Sequence, residues 1–160
     1  MPDNGRRDVI YVKMPIVIQA DVTYQEIEMN ILVLYQSRKG HTQRTAEAIA
    51  QAARELGHEA SVKSVIEVRK QDIEAAEVLL IGTWVQGFIL FGVKPAGATL
   101  WVPALPSLEG KAVGVFCTYA VHPQGSLRAL GAMLEARGAA VLGQRAFHRT
   151  RPGSGAASFV

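Results

Sequence analysis

Three short stretches hold nearly all the side chains of this sequence that could do chemistry. The first is residues 37–42, SRKGHT: two hydroxyls (Ser37, Thr42), a cation (Lys39), an imidazole (His41) and a glycine (Gly40), just ahead of a run with helical spacing. A helix start presents backbone N–H groups without intrahelical partners and the positive end of the helix dipole. Gly40 lets the backbone approach an anion closely. Together these groups suit a terminal phosphate. The plainer alternative is that Ser37 and Thr42 only cap the helix. The loop is not a nucleotide P-loop, because no Gly-Lys-Ser/Thr stands at the required spacing.

The second stretch, residues 82–88 (GTWVQGF), comes after an apolar run and holds Thr83, Trp84, Val85, Gln86 and Gly87. Glycines on both sides of Trp84, with the amide of Gln86 nearby, allow a flat ring system to pack on the indole while backbone groups meet its polar edge. The alternative places Trp84 in the core. The third stretch, residues 117–125 (CTYAVHPQG), puts Thr118 and Tyr119 just past another apolar run. Tyr119 is either a second aromatic wall or a half-buried surface side chain.

The elements that must position these stretches can be read from periodicity. ILVLY at residues 31–35, VLLIGT at 78–83 and AVGVFCTY at 112–119 are apolar runs, as expected of strands covered on both faces. HEASVKSV (58–65) is a weaker strand and AAVLGQRAF (139–147) a fifth. Residues 42–57 place Ala46, Ile49, Ala50, Ala53 and Leu56 on one helical stripe, with Gly57 as a stop. Residues 67–77 form a turn or short helix. Residues 125–138 form a helix with Leu127, Leu130 and Leu134 inward. Strands alternating with helices imply right-handed parallel crossovers, and hence a doubly wound α/β sheet of five parallel strands. Ligands of such sheets bind beyond the carboxyl ends of the strands, where strand order reverses. The three stretches converge there.

This constellation resembles the flavodoxin-like family, which binds flavin mononucleotide (FMN). The family's phosphate loop reads roughly Ser/Thr-x-Thr-Gly-x-Thr, and Ser37, Gly40 and Thr42 stand at matching places. Lys39 replaces the middle threonine, and His41 stands where asparagine is frequent. Trp84 and Tyr119 stand where the family places the residues that sandwich the flavin ring. The resemblance covers residues 30 to about 148, and VLYQSRKGHT and LLIGTWVQGF are its most specific parts. It implies FMN as cofactor, with Ser37, Lys39, Gly40, His41, Thr42, Thr83, Trp84, Val85, Gln86, Gly87, Thr118 and Tyr119 as binding residues. Two departures stand out. Lys39 exchanges a hydroxyl donor for a charge facing a phosphate of roughly −1.5 to −2. The family's final helix is missing: only a Gly/Ser-rich tail, residues 149–160, comes after the fifth strand. Part of the sheet is then bare unless residues 1–28 or a partner chain cover it.

The remaining features bound the function. The chain has 160 residues, 49% of them hydrophobic and 19% charged, which predicts one folded domain. Its net charge of +3 is scattered rather than striped, so nucleic acid is not an expected partner. Residues 78–93 are apolar but shorter than the ~20 residues a membrane span needs, and glycines break them. Cys117 is the single cysteine, which fits a reducing cytoplasm; it reads as a small core residue. His41, His122 and His148 show no metal-ligand spacing, so no metal is expected. No side chain reads as a general acid or base. Residues 1–28 are either a spurious extension before Met29 or carry a strand, given the alternation from Ile16 to Tyr24. Residues 29–148 form the domain, and 149–160 a loose tail. The apolar residues 88–101 either cover the flavin or form a homodimer face; alternatively Pro95 starts a helix with Leu100 in the core. Three functions fit these features: an FMN-dependent reductase passing electrons from a nicotinamide to a quinone-type small acceptor, an electron carrier docking on a redox partner protein, or a flavodoxin-shaped interaction module without cofactor.

Overall fold

The structure, a computed structural model, describes residues 27–88, 92–123 and 125–160. The expected strand within residues 16–24 lies outside the described residues. Five parallel strands form the sheet: β1 (Asn30–Tyr35), β2 (Glu59–Ser64), β3 (Val78–Phe88), β5 (Ala112–Tyr119) and β6 (Ala140–His148). Their order is β2-β1-β3-β5-β6, so strand order reverses beside β1 and β3. The short β4 (Gly92–Pro95) pairs antiparallel with the far end of β3. The helices are α1 (His41–Glu55), α2 (Lys70–Ala75), α3 (Ala98–Trp101) and α4 (Ser126–Glu135).

Central strands show continuous burial, as in β1, where Ile31, Leu32, Val33 and Leu34 are all buried. Alternate residues serve opposite faces. Leu32 and Leu34 join Ile73, Leu79, Ile81, Trp101, Leu130 and Leu134 on the face covered by α2, α3 and α4. Ile31 and Val33 join Ala46, Ile49, Ala50, Ala53, Phe116 and Phe147 on the α1 face. The edge strands β2 and β6 alternate between exposed and partly buried positions, which is why they read more weakly in the sequence.

Four expectations change. Residues 84–87 are not a loop: β3 continues through them, with Val85 opposite Pro95 and Gln86 opposite Lys94. Leu100 is 81% exposed, and Trp101 is the buried side chain of α3, its indole N–H donating to the Ala96 carbonyl at 3.1 Å. Leu56, at the end of the α1 stripe, is exposed. The tail is not loose. Phe159 lies 6.4 Å from Phe116 and 6.1 Å from Phe147, ring centroid to centroid, both edge-on. Arg145 stacks on Phe147 and donates to Ser158 Oγ at 2.5 Å and to the Ser154 carbonyl at 3.4 Å. The polar composition of the tail hid the three apolar side chains, Ala156, Phe159 and Val160, that dock it on the sheet. A groove of about 280 Å³ remains beside it, among Met29, Ile31, Leu80 and Leu142.

Candidate functional site: a cavity at the carboxyl ends of the strands

A cavity of about 290 Å³ opens beyond the carboxyl ends of β1, β3, β5 and β6. The β1–α1 loop contributes Ser37, Arg38, Lys39, His41 and Thr42; β3 contributes Trp84, Val85 and Gln86; β5 and its loop contribute Thr118, Tyr119 and Ala120; Arg149 comes directly after β6. This size is at the low end of ligand sites.

The loop is built around Gly40, which caps α1 with φ 82°, a left-handed conformation that glycine adopts without strain. Its N–H donates to Ser37 Oγ at 3.0 Å. Because that oxygen accepts, the Ser37 hydroxyl hydrogen is left for another acceptor. The N–H groups of the first turn have no intrahelical acceptors. The Thr42 and Thr118 hydroxyls meet at 2.8 Å, and both residues are buried. One hydrogen bond between two hydroxyls uses one hydrogen, so the second is available to a third group. This contact ties the start of α1 to the end of β5.

Trp84 is half-buried, with its backbone held by the Ala96 N–H on its carbonyl at 2.9 Å. Tyr119, half-buried, ends β5. Cys117 is fully buried, and burial pushes its thiol up to about 12, so it stays protonated and inert.

Of the twelve residues singled out from the sequence, nine line the cavity. Gly40 shapes the loop beneath. Thr83 is a correction: it is fully buried under the wall, its hydroxyl shared between Gln36 Oε1 at 3.2 Å and the Ala96 carbonyl at 3.3 Å. Gly87 lies in the β3–β4 hairpin opposite Val93. Arg38, Ala120 and Arg149 were missed. Arg38 and Ala120 adjoin residues already chosen. Arg149 could have been found only from its place just past the fifth strand, at the same sheet edge.

The cavity fits a flat, anionic ligand. Three cations line it, and no carboxylate does among the described residues. His41 Nδ1 is buried without a hydrogen-bond partner. An orphaned buried ring nitrogen costs about 1–3 kcal/mol unless something in the cavity meets it. Among the described residues, no three His, Cys, Asp or Glu side chains gather to hold a metal. No described helix is long and apolar enough to cross a membrane.

The family model described as Flavodoxin matches residues 33–155, which include all three site stretches. The chain belongs to the flavodoxin family. Flavodoxin-family proteins bind FMN and transfer electrons with it. No curated protein matches the chain. The two-electron reduced flavodoxin of Megasphaera elsdenii is similar in fold, with TM-score 0.62, 22% identity, and coverage of 80% of this chain and 98% of that one. Oxidised Flavodoxin 2 of Bacillus cereus gives TM-score 0.63 at 20% identity, over 81% of this chain and 97% of that one. The rubredoxin oxygen:oxidoreductase of Desulfovibrio gigas gives TM-score 0.56 at 14% identity, over 81% of this chain but 36% of that one. A flavodoxin fold can therefore stand alone or form part of a longer chain.

Proposed function

We propose that this flavodoxin-family chain holds FMN with the phosphate at residues 37–42 and the ring between Trp84 and Tyr119, and passes its electrons to a small acceptor as a reductase. The observation that carries the reading is the cavity itself: a glycine-capped helix start, two aromatics on neighbouring strands and three cations face one space. FMN supplies one- and two-electron transfer, chemistry no side chain here can supply. The protein's own groups do the rest. The free first-turn N–H groups, the Ser37 hydroxyl and Lys39 bind and orient the phosphate. Trp84 and Tyr119 hold the ring flat and keep water from its faces. Arg149 adds positive charge on the tyrosine side.

A second reading is an electron carrier that docks on a redox partner protein, favoured by the overlay with flavodoxins matched over 97–98% of their own length. Turnover separates the two. The full chain loaded with FMN is mixed with NADH or NADPH and a soluble quinone. Sustained catalytic turnover, with FMN bound at least tenfold tighter than riboflavin, supports the reductase. Tight FMN without turnover supports the carrier. Equal affinity for FMN and riboflavin overturns the phosphate assignment.

A further inference from the structure

We propose that His148 is a positioning residue for the aromatic wall of the site, holding Tyr119 and Ala120 in the geometry a flat ligand meets. The inference rests on the flavin reading above. His148 is the last residue of β6 and stands in register with Tyr119, the last residue of β5. Its Nε2 lies 2.7 Å from the Ala120 carbonyl. A carbonyl only accepts, so Nε2 carries the proton and donates. Nδ1 accepts from the Thr150 N–H at 3.3 Å, a donor that cannot be reversed, so the Thr150 hydroxyl at 2.7 Å from the same nitrogen donates as well. Both ring nitrogens are satisfied in one tautomer, and Thr150 fixes which one. The backbone closes the same unit, with the Arg149 N–H donating to the Tyr119 carbonyl at 2.9 Å.

The ring itself meets Tyr119 perpendicularly at 88°, with centroids 5.3 Å apart. Such edge-to-face pairs prefer one relative orientation. His148 therefore restrains Tyr119 from the side away from Trp84's strand while holding the carbonyl of the next residue. It does not line the cavity; Tyr119, Ala120 and Arg149 do. An open loop end would otherwise leave Tyr119 free to choose rotamers, and a wall ordered only on binding costs affinity.

The test uses the full chain with two variants that divide the two contacts. His148→Gln keeps an amide donor for the Ala120 carbonyl and loses the ring contact. His148→Phe keeps a perpendicular ring and loses all three hydrogen bonds of the imidazole. Each is expected to raise the Kd for FMN and for riboflavin by the same factor, at least fivefold, because the wall acts on the ring and not on the phosphate. The visible circular dichroism of bound FMN should change amplitude, while the far-ultraviolet spectrum stays that of the wild type. In the wild type, long-range proton–nitrogen spectra should show His148 protonated on Nε2 only; this holds even where a variant fails to fold. Protonation on Nδ1, or averaging between the two nitrogens, overturns the inference. So do variants with unchanged Kd and unchanged visible dichroism in a chain that takes up FMN. A wild-type chain that takes up no FMN overturns the flavin reading and this inference together.

Discussion

At the scale of single residues, Lys39 and Thr42 face the same anion in different ways. Lys39 is exposed, so its removal leaves the fold intact. Lys39→Met is expected to weaken FMN about tenfold and leave riboflavin unchanged, since roughly 1.4 kcal/mol of a charge-assisted contact is a factor of ten. Parallel titrations with the two flavins check this; an equal loss for both would place Lys39 at the ring. Thr42→Val is a poorer probe, because it also strips Thr118 of its buried partner at 2.8 Å. Cys117 gives a prediction in pH. Its thiol is raised by burial to about 12, against roughly 8.5 in an unfolded chain. Stability from this group is full below about pH 8.5 and is lost as pH rises toward 12. The melting temperature of the wild type should therefore fall more steeply between about pH 8.5 and 10.5 than that of Cys117→Ala. Parallel slopes would show that the thiol does not titrate with unfolding. The loop hydroxyls and the two aromatics were legible because local sequence places them: the hydroxyls come just after β1, and Trp84 and Tyr119 come at the ends of apolar runs. Arg149 was not, because its place depends on β6 lying next to β5, a long-range fact.

At the scale of elements, the five parallel strands were legible from their apolar runs, and the one strand pair that was missed shows why. Residues 84–88 carry Trp, Gln and Gly, an irregular pattern that reads as a loop, yet β4 pairs with them and makes β3 an arm beyond the sheet. Tertiary pairing overrides local preference here. The tail shows the same limit. A stretch of Gly, Ser and Arg gives no periodic signal, but Phe159 closes an aromatic cluster over Gly114, where an added Cβ would meet its ring at 3.2 Å. Phe159→Ala is expected to destabilise the chain by roughly 1.5–3 kcal/mol, the scale of burying one large apolar side chain. Urea unfolding monitored by circular dichroism checks it, and a change near zero would mean that the tail is only laid on the surface. Ser154→Ala, exposed and bonded only through its backbone N–H and carbonyl, is the control and should change nothing.

At the scale of the whole molecule, charge is the distinguishing property. The net charge is +3, and Arg38, Lys39 and Arg149 gather at the cavity mouth. Surface potentials steer charged partners at a distance, and salt screens them over about 8 Å at physiological ionic strength. Reduced FMN-loaded protein should therefore pass electrons to ferricyanide, an anion, several-fold more slowly as salt rises from about 10 mM to 0.5 M. A cationic cobalt complex should show the opposite trend or none. Stopped-flow traces decide it, and an anionic acceptor insensitive to salt would show that the three cations do not govern approach. The 2.8 Å contact between Thr42 and Thr118 bears on how the chain is made. Its partners stand 76 residues apart, and the walls around them come from both ends of the domain. During synthesis the first βαβ unit leaves the ribosome before β5 and the residue after β6, so the cavity is not closed until residues 30–149 have all been made. Long-range closures of this kind are slow steps in folding. Capture of FMN is then a proofreading event: only chains that have been synthesised and folded through Arg149 can turn yellow.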